Sequence, residues 1–295
     1  AISICTAIAK DYSSTIEAGN ALILLGQLYE KEPASSLEEL PNWKPNYDKA
    51  LEFYEMALHY STYPYRSDYL SGYISDDIYY VFRRFKEIGP ISQFCLGKSY
   101  KYNFQNYKEA LKYFQNLAGM YDPSQQTSYL ESENGKHFNY VSAMMEIADL
   151  HSRLKNYQTA IDIYDNLMKK HKGSQYSTTD IYGDGKYIGC NYGNLYIDCL
   201  ILKGENYRKN RDYLKAIDCY KQAIFSLQET SSIEIVHWVQ SGVSAYVNPI
   251  YRCVNAIFEI YTKDIRKVND LENILKEILT TLNSSVLPTE PLNLY

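Results

Sequence analysis

The chain has 295 residues, of which 45% are hydrophobic, and its formal net charge is −5. This near balance lacks the basic footprint of a nucleic-acid-binding protein, and no apolar run approaches the 18 residues of a membrane-spanning helix. The apolar content is high enough for a sizeable buried core, so we expect a folded protein.

One nine-residue phrase occurs four times along the chain. It reads Asn or Asp, Tyr, two variable residues, Ala, Ile or Leu, two variable residues, and Tyr or Phe. Its Tyr, Ala and second aromatic residue fall at i, i+3 and i+7, on one face of a helix. The small Ala lets a neighbouring helix approach, and the aromatic side chain fills the space one turn later. The four copies are 46–54, 106–114, 156–164 and 212–220.

A second pattern precedes each phrase and predicts the first helix of a hairpin. The tetratricopeptide repeat has Leu-Gly-x-x-Tyr in this position. Two copies match it fully, one has Lys in place of Leu, and one has the same shape with Ala in place of Gly. The segments are 25–29, 96–100, 203–207 and 147–151. Four matching pairs predict an all-α fold of stacked helical hairpins, a tetratricopeptide-like solenoid in which each unit contacts only its neighbours.

The stretches between these units hold the residues that form turns. The connecting segments 61–90, 118–138 and 170–190 contain pairs such as Gly89-Pro90 and Asn134-Gly135. We therefore expect extended loops there rather than helices.

Little in the sequence favours catalysis. The six cysteines form no C-x-x-C pair, so we expect no metal or redox motif and a reducing cytosol. The segment from Gly183 to Lys186 lacks the spacing of a phosphate-binding loop. The five histidines are scattered. We expect no enzyme activity, no cofactor, no metal and no small-molecule substrate. Ala1 falls within a helical pattern, so we also expect residues before it.

The run Arg83-Arg84-x-Lys86 is the charge feature most suited to binding a partner. Its alternative explanation is a solvated helix end, where cations are favoured by about 0.3–1 kcal/mol. The run Lys169-Lys170-x-Lys172 is explained more simply by the same helix dipole.

The order of several short motifs resembles the soluble NSF-attachment proteins. Ala18-Gly19-Asn20-Ala21 is similar to the early helices of that family, Arg84-Phe85 to its central Arg-Phe turn, and 139–164 follows the family without a gap. Lys186-Tyr187 also falls at family spacing. The resemblance covers about residues 1–200.

This resemblance implies an adaptor that performs no chemistry. Proteins of this family form a right-handed superhelix of antiparallel helical hairpins, implied here for 1–225, and a C-terminal helical bundle and tail, implied for 226–295. They bind SNARE coiled-coil bundles and recruit the hexameric ATPase NSF for their disassembly. The resemblance implies Arg84 and Lys186 as partner-binding residues, and Leu294 as the ATPase-engaging residue. The basic run adds Arg83 and Lys86 to the predicted partner-binding residues. The implied location is cytoplasmic, peripheral to membranes through the partners.

The chain also departs from this family. Positions that match other family lysines carry Ile91, Ser142, Glu146, Cys190 and Leu195. These residues remove positive charge that would attract an acidic bundle. The alternative function is therefore a general tetratricopeptide scaffold that binds a peptide or helix of a protein partner in its concave groove.

Overall fold

The computed structural model describes residues 1–13, 15–30, 44–61, 76–120, 129–131, 137–171, 195–229 and 249–284. The predicted all-α fold of tetratricopeptide-like hairpins is confirmed, with one short strand pair added. The helices are α1 (Ile2–Asp11), α2 (Ile16–Glu30), α3 (Tyr47–Ser61), α4 (Asp76–Tyr102), α5 (Tyr107–Gly119), α6 (Tyr140–Arg153), α7 (Tyr157–Lys170), α8 (Leu195–Lys209), α9 (Tyr213–Glu229), α10 (Pro249–Glu259) and α11 (Val268–Ser284).

The described chain separates into two compact units. The first lies within Ala1–Leu150 and the second within His151–Gln175 and Cys190–Tyr295. In the first, α1 packs on α2, α2 on α3, α3 on α4 and α4 on α5. In the second, α8 packs on α7 and α9, and α9 also packs on α10 and α11. The predicted division at residues 225 and 226 stays a prediction.

The alanines of the repeated phrase lie in the core. Ala50, Ala110, Ala160 and Ala216 are all 0% exposed, which confirms that the phrase marks a buried helix face. In α5, for example, Ala110, Phe114, Leu117 and Ala118 fall at i, i+4, i+7 and i+8, and all four are buried. The helical period of the apolar residues thus decides which face of each helix is covered.

In three of the hairpins, a glycine of the first helix packs against the aromatic ring that ends the repeated phrase in the second helix. A Cβ atom at Gly26 would lie 2.3 Å from the Tyr54 ring, and one at Gly97 would lie 2.8 Å from the Phe114 ring. A Cβ atom at Gly204 would lie 2.8 Å from the Tyr220 ring. Real Cβ atoms do not approach other atoms so closely, so glycine lets the ring pack directly on the helix backbone.

The turns between paired helices share one backbone geometry. The backbone N–H of Asn106 donates to the carbonyl of Tyr100 at 2.8 Å, and Asp212 donates to Tyr207 at 2.9 Å. The residue before each donor has a positive φ, 50° at Gln105 and 64° at Arg211. In the first hairpin Asn46 also donates to the carbonyl of Tyr29 at 2.8 Å, but residues 31–43 between them lie outside the described structure.

A fifth hairpin with this turn follows the four that the phrase predicts. The backbone N–H of Lys267 donates to the carbonyl of Tyr261 at 2.9 Å, and Arg266 has a φ of 54°. Leu271 takes the place of the phrase alanine and is 5% exposed. Helix α11 is the second helix of this hairpin.

The prediction of a loop through Gly89-Pro90 is wrong. Helix α4 runs from Asp76 to Tyr102 and contains Pro90. A proline inside a helix removes one backbone hydrogen bond and costs about 3 kcal/mol. Ile88 is fully buried, and Gly89 and Pro90 are buried beside it. Burial of this apolar segment against the neighbouring helices offsets the cost.

The predicted loop 118–138 contains a short antiparallel strand pair, β1 (Tyr129–Glu131) and β2 (His137–Asn139). Leu130 pairs with Phe138 at the centre of the ladder. The pair leads directly into α6, which begins at Tyr140.

A buried charge cluster joins α4 to α6 within the first unit. Lys101 donates to Glu146 at 2.7 Å and forms a second ion pair of 2.7 Å with Asp149. The side chains of Lys101 and Glu146 are each 1% exposed. Burial lowers the pKa of Lys101, but the two carboxylates raise it more, so the net pKa lies above the usual value. The ammonium group therefore stays charged in the core.

The glycine contact predicts a selective loss of stability. Gly97→Ala should lower the free energy of unfolding by about 1–3 kcal/mol, because the new methyl group overpacks against Phe114. Gly119→Ala is the control, since a Cβ atom there meets nothing within 4 Å. The control should be neutral or gain up to about 1 kcal/mol from helix propensity. Urea unfolding of both variants measures the difference, and equal stabilities would contradict the packing account.

The buried charge cluster gives a second prediction. Lys101→Met should cost about 3–5 kcal/mol, because Glu146 would remain buried without its cation. Lys98→Met on the same helix is the control. Lys98 is 30% exposed and lies 3.7 Å from Glu30, so its loss should cost no more than about 1 kcal/mol. Similar midpoints of denaturation for the two variants would show that the cluster does not hold α4 to α6.

Candidate functional site

The predicted binding residues are not tested by the described structure. Arg83, Arg84 and Lys86 lie in the part of α4 whose backbone is helical and whose side chains are outside the described residues. Lys186 and Leu294 also lie outside the described residues. The assignment of these five residues to partner binding therefore stays a prediction.

The positions matched to family lysines do not form a charged surface. Ser142 and Glu146 are each 1% exposed, and Leu195 is 2% exposed. Ile91 is half-buried and packs on the core, and Cys190 lies outside the described residues. Glu146 forms a buried ion pair with Lys101, so its negative charge faces the interior of the protein and not a binding partner.

A polar cavity of about 460 Å³ lies in the second unit, between α8 and α10. Three cationic and three anionic side chains line it, together with one tyrosine, one asparagine and one alanine. The charged residues are Glu205, Arg208, Lys209, Arg252, Glu259 and Asp264, and the others are Tyr220, Asn255 and Ala256. Its size falls within the range of ligand-binding clefts.

The three acidic side chains of the cavity are bound by arginines of the protein itself. Arg208 donates from Nε to Asp264 and from Nη1 to Glu259, each at 2.8 Å. Arg252 donates to Glu205. Lys263 also donates to Glu259, and the hydrogen bonds from Lys263 and Arg208 lower the pKa of the Glu259 carboxyl below its usual value. The carboxylates thus already hold cations of the protein, so they offer little to an incoming cation.

Asp264, one of these acids, lies at the end of a π-helical turn. Helix α10 continues as a π-helix over Ile260–Asp264, and the backbone N–H of Ile265 donates to the carbonyl of Ile260 at 2.8 Å. This rare turn ends at Asp264, which accepts from Arg208 of α8. Single π-turns are frequent at functional sites, and this one lies at the edge of the cavity.

Tyr220 of α9 lies in the lining of the cavity, and its hydroxyl oxygen is buried. Its side chain is 1% exposed, and its ring packs on Gly204 of α8. Within the part of the chain that the structure describes, the phenol oxygen has no hydrogen-bond partner. Burial and then the Glu205 carboxylate raise the pKa of Tyr220, against a smaller opposite effect of Arg208. The hydroxyl therefore keeps its proton at neutral pH and can donate it to an acceptor.

Lys209 differs from the two arginines of the cavity. It lies at the end of α8, is exposed, and donates to the hydroxyl of Ser152 at 3.0 Å. Among the described residues no carboxylate lies within ion-pair distance of its ammonium group. Lys209 is therefore the cation of this cavity whose charge is not balanced by a neighbouring acid.

This arrangement was not found from the sequence because three helices supply it. The repeated phrase identified Tyr220 as a packing residue only. The sequence indicated part of the cavity, because Glu205 and Arg208 are three residues apart and therefore lie on the same face of a helix. Their partners are more than forty residues away along the chain, and no local pattern joins them.

The comparisons with known proteins support the repeat but not the narrower resemblance. Residues 142–174, which include most of α6 and all of α7, match the family model of the tetratricopeptide repeat. No curated protein matches the chain. A crystal structure described as nearly identical TPR-like repeats of a kinesin light chain from Podosopora anserina is similar to it, with 10% sequence identity and a TM-score of 0.47. The similarity covers 91% of this chain and 97% of that one.

These findings point to a repeat of tetratricopeptide type in the third hairpin, and none of them points to an NSF-attachment protein. No described helix combines the length and the apolar character that crossing a membrane would require. In the same part of the chain, no cluster of three or more His, Cys, Asp or Glu side chains is arranged to hold a metal ion.

Two equivalent tyrosines give a prediction about the cavity. Tyr54 and Tyr220 end the first and fourth phrases and are both fully buried, but Tyr54 donates to Glu30 at 2.9 Å. Tyr54→Phe should cost about 1–3 kcal/mol, because it removes a hydrogen bond to a charged group. Tyr220→Phe should be neutral or raise the free energy of unfolding by up to about 1–3 kcal/mol, because it removes a buried hydroxyl that has no hydrogen-bond partner among the described residues.

Thermal and urea denaturation of the two single variants check this prediction. A large loss of stability in Tyr220→Phe would mean that the phenol has a structural partner in solution, and the cavity would then lack a free donor.

Proposed function

We propose that this protein is a non-catalytic scaffold that binds a peptide or a helix of a protein partner. The observation that carries the proposal is the polar cavity between α8 and α10, on an array of hairpins with one repeated packing contact. Helical repeats are commonly used as extended binding surfaces, and this cavity supplies fixed charges of both signs. The match of 142–174 to the tetratricopeptide repeat supports the same class of function.

The narrower function, an adaptor that binds SNARE bundles and recruits NSF, rests on the resemblance within residues 1–200. The comparisons add no support to it, and buried Ser142, Glu146 and Leu195 provide no surface for an acidic bundle. The scaffold is therefore the function that the observations favour. It agrees with a protein that acts through partners and performs no chemistry of its own.

A peptide-display selection on the immobilised full chain tests the scaffold function. Selected peptides are made synthetically and titrated by fluorescence anisotropy at low and at physiological salt, because charged contacts weaken as salt rises. We expect saturable one-to-one binding with a Kd on the order of micromolar. An assembled SNARE bundle added as competitor should leave this binding unchanged.

The competing outcomes separate the two functions. If no peptide binds saturably but a purified SNARE bundle and NSF assemble on the chain at low salt, the adaptor function is correct. If peptides, SNARE bundle and NSF all fail to bind, both functions are wrong.

Charge reversal in the predicted basic run tests the predicted site. Arg83→Glu with Arg84→Glu should weaken partner binding about tenfold or more without unfolding the protein. The matched control reverses Lys169 and Lys170, which lie in the last turn of α7. Equal binding by both double variants, with unchanged circular dichroism, would remove Arg83 and Arg84 from the site.

A further inference from the structure

In two hairpins, a tyrosine of the first helix contacts a lysine of the second helix. The first-helix segments of the first and fourth hairpins end at Tyr29 and Tyr207. The Nζ atom of Lys49 lies 5.3 Å from the centre of the Tyr29 ring, and the Nζ atom of Lys215 lies 5.4 Å from that of Tyr207. Both lysines directly precede the alanine of the repeated phrase. The fold thus has a recurring position for a cation on this tyrosine.

The second hairpin has the tyrosine but not the lysine. Tyr100 is the equivalent ring, and Glu109 stands where the first and fourth hairpins have lysine. In the described part of the chain, no lysine or arginine lies over the Tyr100 ring. A position that takes a cation in two hairpins is therefore acidic in this one, which favours a cation from outside the chain.

Further aromatic rings extend this position into a surface. We call it the aromatic patch, and its members are Tyr47, Tyr100, Phe104 and Tyr113. The rings of Tyr100 and Tyr113 stack, with their centres 5.4 Å apart and an angle of 11° between their planes. The centre of the Phe104 ring lies 5.7 Å from that of Tyr100 and 6.4 Å from that of Tyr47. Phe104 is 38% exposed and the three tyrosines are half-buried, so the patch offers ring surface to solvent.

Two acids from different helices act on the stacked tyrosines. Burial, and then the charges of Glu55 and Glu109, raise the pKa of Tyr100. Burial, the Tyr100 phenol and the same two acids raise the pKa of Tyr113 to about 12. Glu55 belongs to α3, is exposed and forms no ion pair with a described residue. Aromatic faces and nearby carboxylates both attract a cation, and neither attracts an anion.

Lys112 is a cation of the protein beside the patch, and it is held weakly. Its Nζ atom lies 5.9 Å from the centre of the Tyr113 ring, close to the limit of about 6 Å for a cation–π contact. The same atom lies 3.7 Å from Glu109, and the lysine side chain is 65% exposed. Exposed ion pairs of this kind contribute little, so a cation of a partner can displace Lys112.

We propose that the aromatic patch, together with Glu55 and Glu109, binds an arginine side chain of a partner protein. A planar guanidinium lies flat on an aromatic ring and carries five N–H donors, which is enough to serve two carboxylates at once. A lysine ammonium is more strongly hydrated and lacks this plane. The inference rests on the proposed scaffold function and concerns a surface of the first compact unit alone.

Small probes on the full chain test this proposal without knowledge of the partner. N-acetyl-arginine N-methylamide is the probe, and its citrulline analogue is a neutral control of nearly the same shape. The lysine analogue and tetramethylammonium separate a guanidinium from other cations, including the headgroup of a choline lipid. Each compound is titrated at low salt into protein with ¹³C-labelled tyrosine rings. The signals of Tyr100 and Tyr113 are assigned by their loss in Tyr100→Phe and Tyr113→Phe.

We expect the arginine probe to shift both tyrosine signals saturably, with a Kd on the order of millimolar for a fragment of this size. The citrulline probe should bind about tenfold more weakly, because it lacks the charge that the rings and the carboxylates attract. The lysine probe should bind about threefold more weakly, because its ammonium cannot stack on a ring.

Variants of Glu109 decide whether binding occurs at the patch. Glu109→Lys restores the residue type of Lys49 and Lys215 and should weaken the arginine probe about tenfold or more, because an internal cation then takes the position. Glu109→Gln removes only the charge and should weaken it about threefold. Glu52→Gln on α3 is the control, since Glu52 is exposed and is not among the charges that act on either tyrosine. Circular dichroism verifies that each variant is folded.

Equal binding of the arginine and citrulline probes, or arginine binding that survives Glu109→Lys, would overturn the proposal. Tighter binding of the lysine analogue or of tetramethylammonium would overturn the assignment of arginine. If the arginine probe fails while selected peptides still bind, the aromatic patch is not a binding site and the scaffold function stands.

Discussion

The fold depends on one contact, in which a small residue of a first helix meets an aromatic ring of the second. At Gly97 and Phe114 the distance from a Cβ atom to the ring would be only 2.8 Å. Absence of that atom lets the ring lie on the helix backbone, where it excludes water and buries a large apolar area. The same contact recurs at Gly26 with Tyr54 and at Gly204 with Tyr220. The glycine and the aromatic residue therefore recur at fixed positions in the sequence because they pack against each other in each hairpin.

This contact also determines the position of the tyrosine hydroxyl groups. A tyrosine ring that packs on a glycine of the first helix carries its hydroxyl past that glycine, where neighbouring side chains decide what it binds. Glu30 accepts from the hydroxyl of Tyr54. In the fourth hairpin Arg252 of α10 holds Glu205, and the buried Tyr220 hydroxyl has no hydrogen-bond partner among the described residues.

Much of the fold could be predicted because its signals are local. The four phrases span nine residues each, and their helical spacing identifies the buried alanines directly. The first half of helix α4 was missed because Pro90 is a helix breaker by local rules, and only its burial among other helices offsets the cost. The fifth hairpin was missed because Lys267 and Leu271 replace the polar cap and the alanine, while the turn geometry itself is kept. The cavity was missed because Arg208 and Glu259 meet only in three dimensions.

A double-mutant cycle on Gly97 and Phe114 tests the central packing contact most directly. The free energy of unfolding is measured for Gly97→Ala, Phe114→Leu and the combined variant. If the methyl group and the ring compete for one space, the combined variant is more stable than the sum of the single losses by about 0.5–3 kcal/mol. Additive losses would show that the glycine and the ring do not share a contact, and the account of the repeat would then be contradicted.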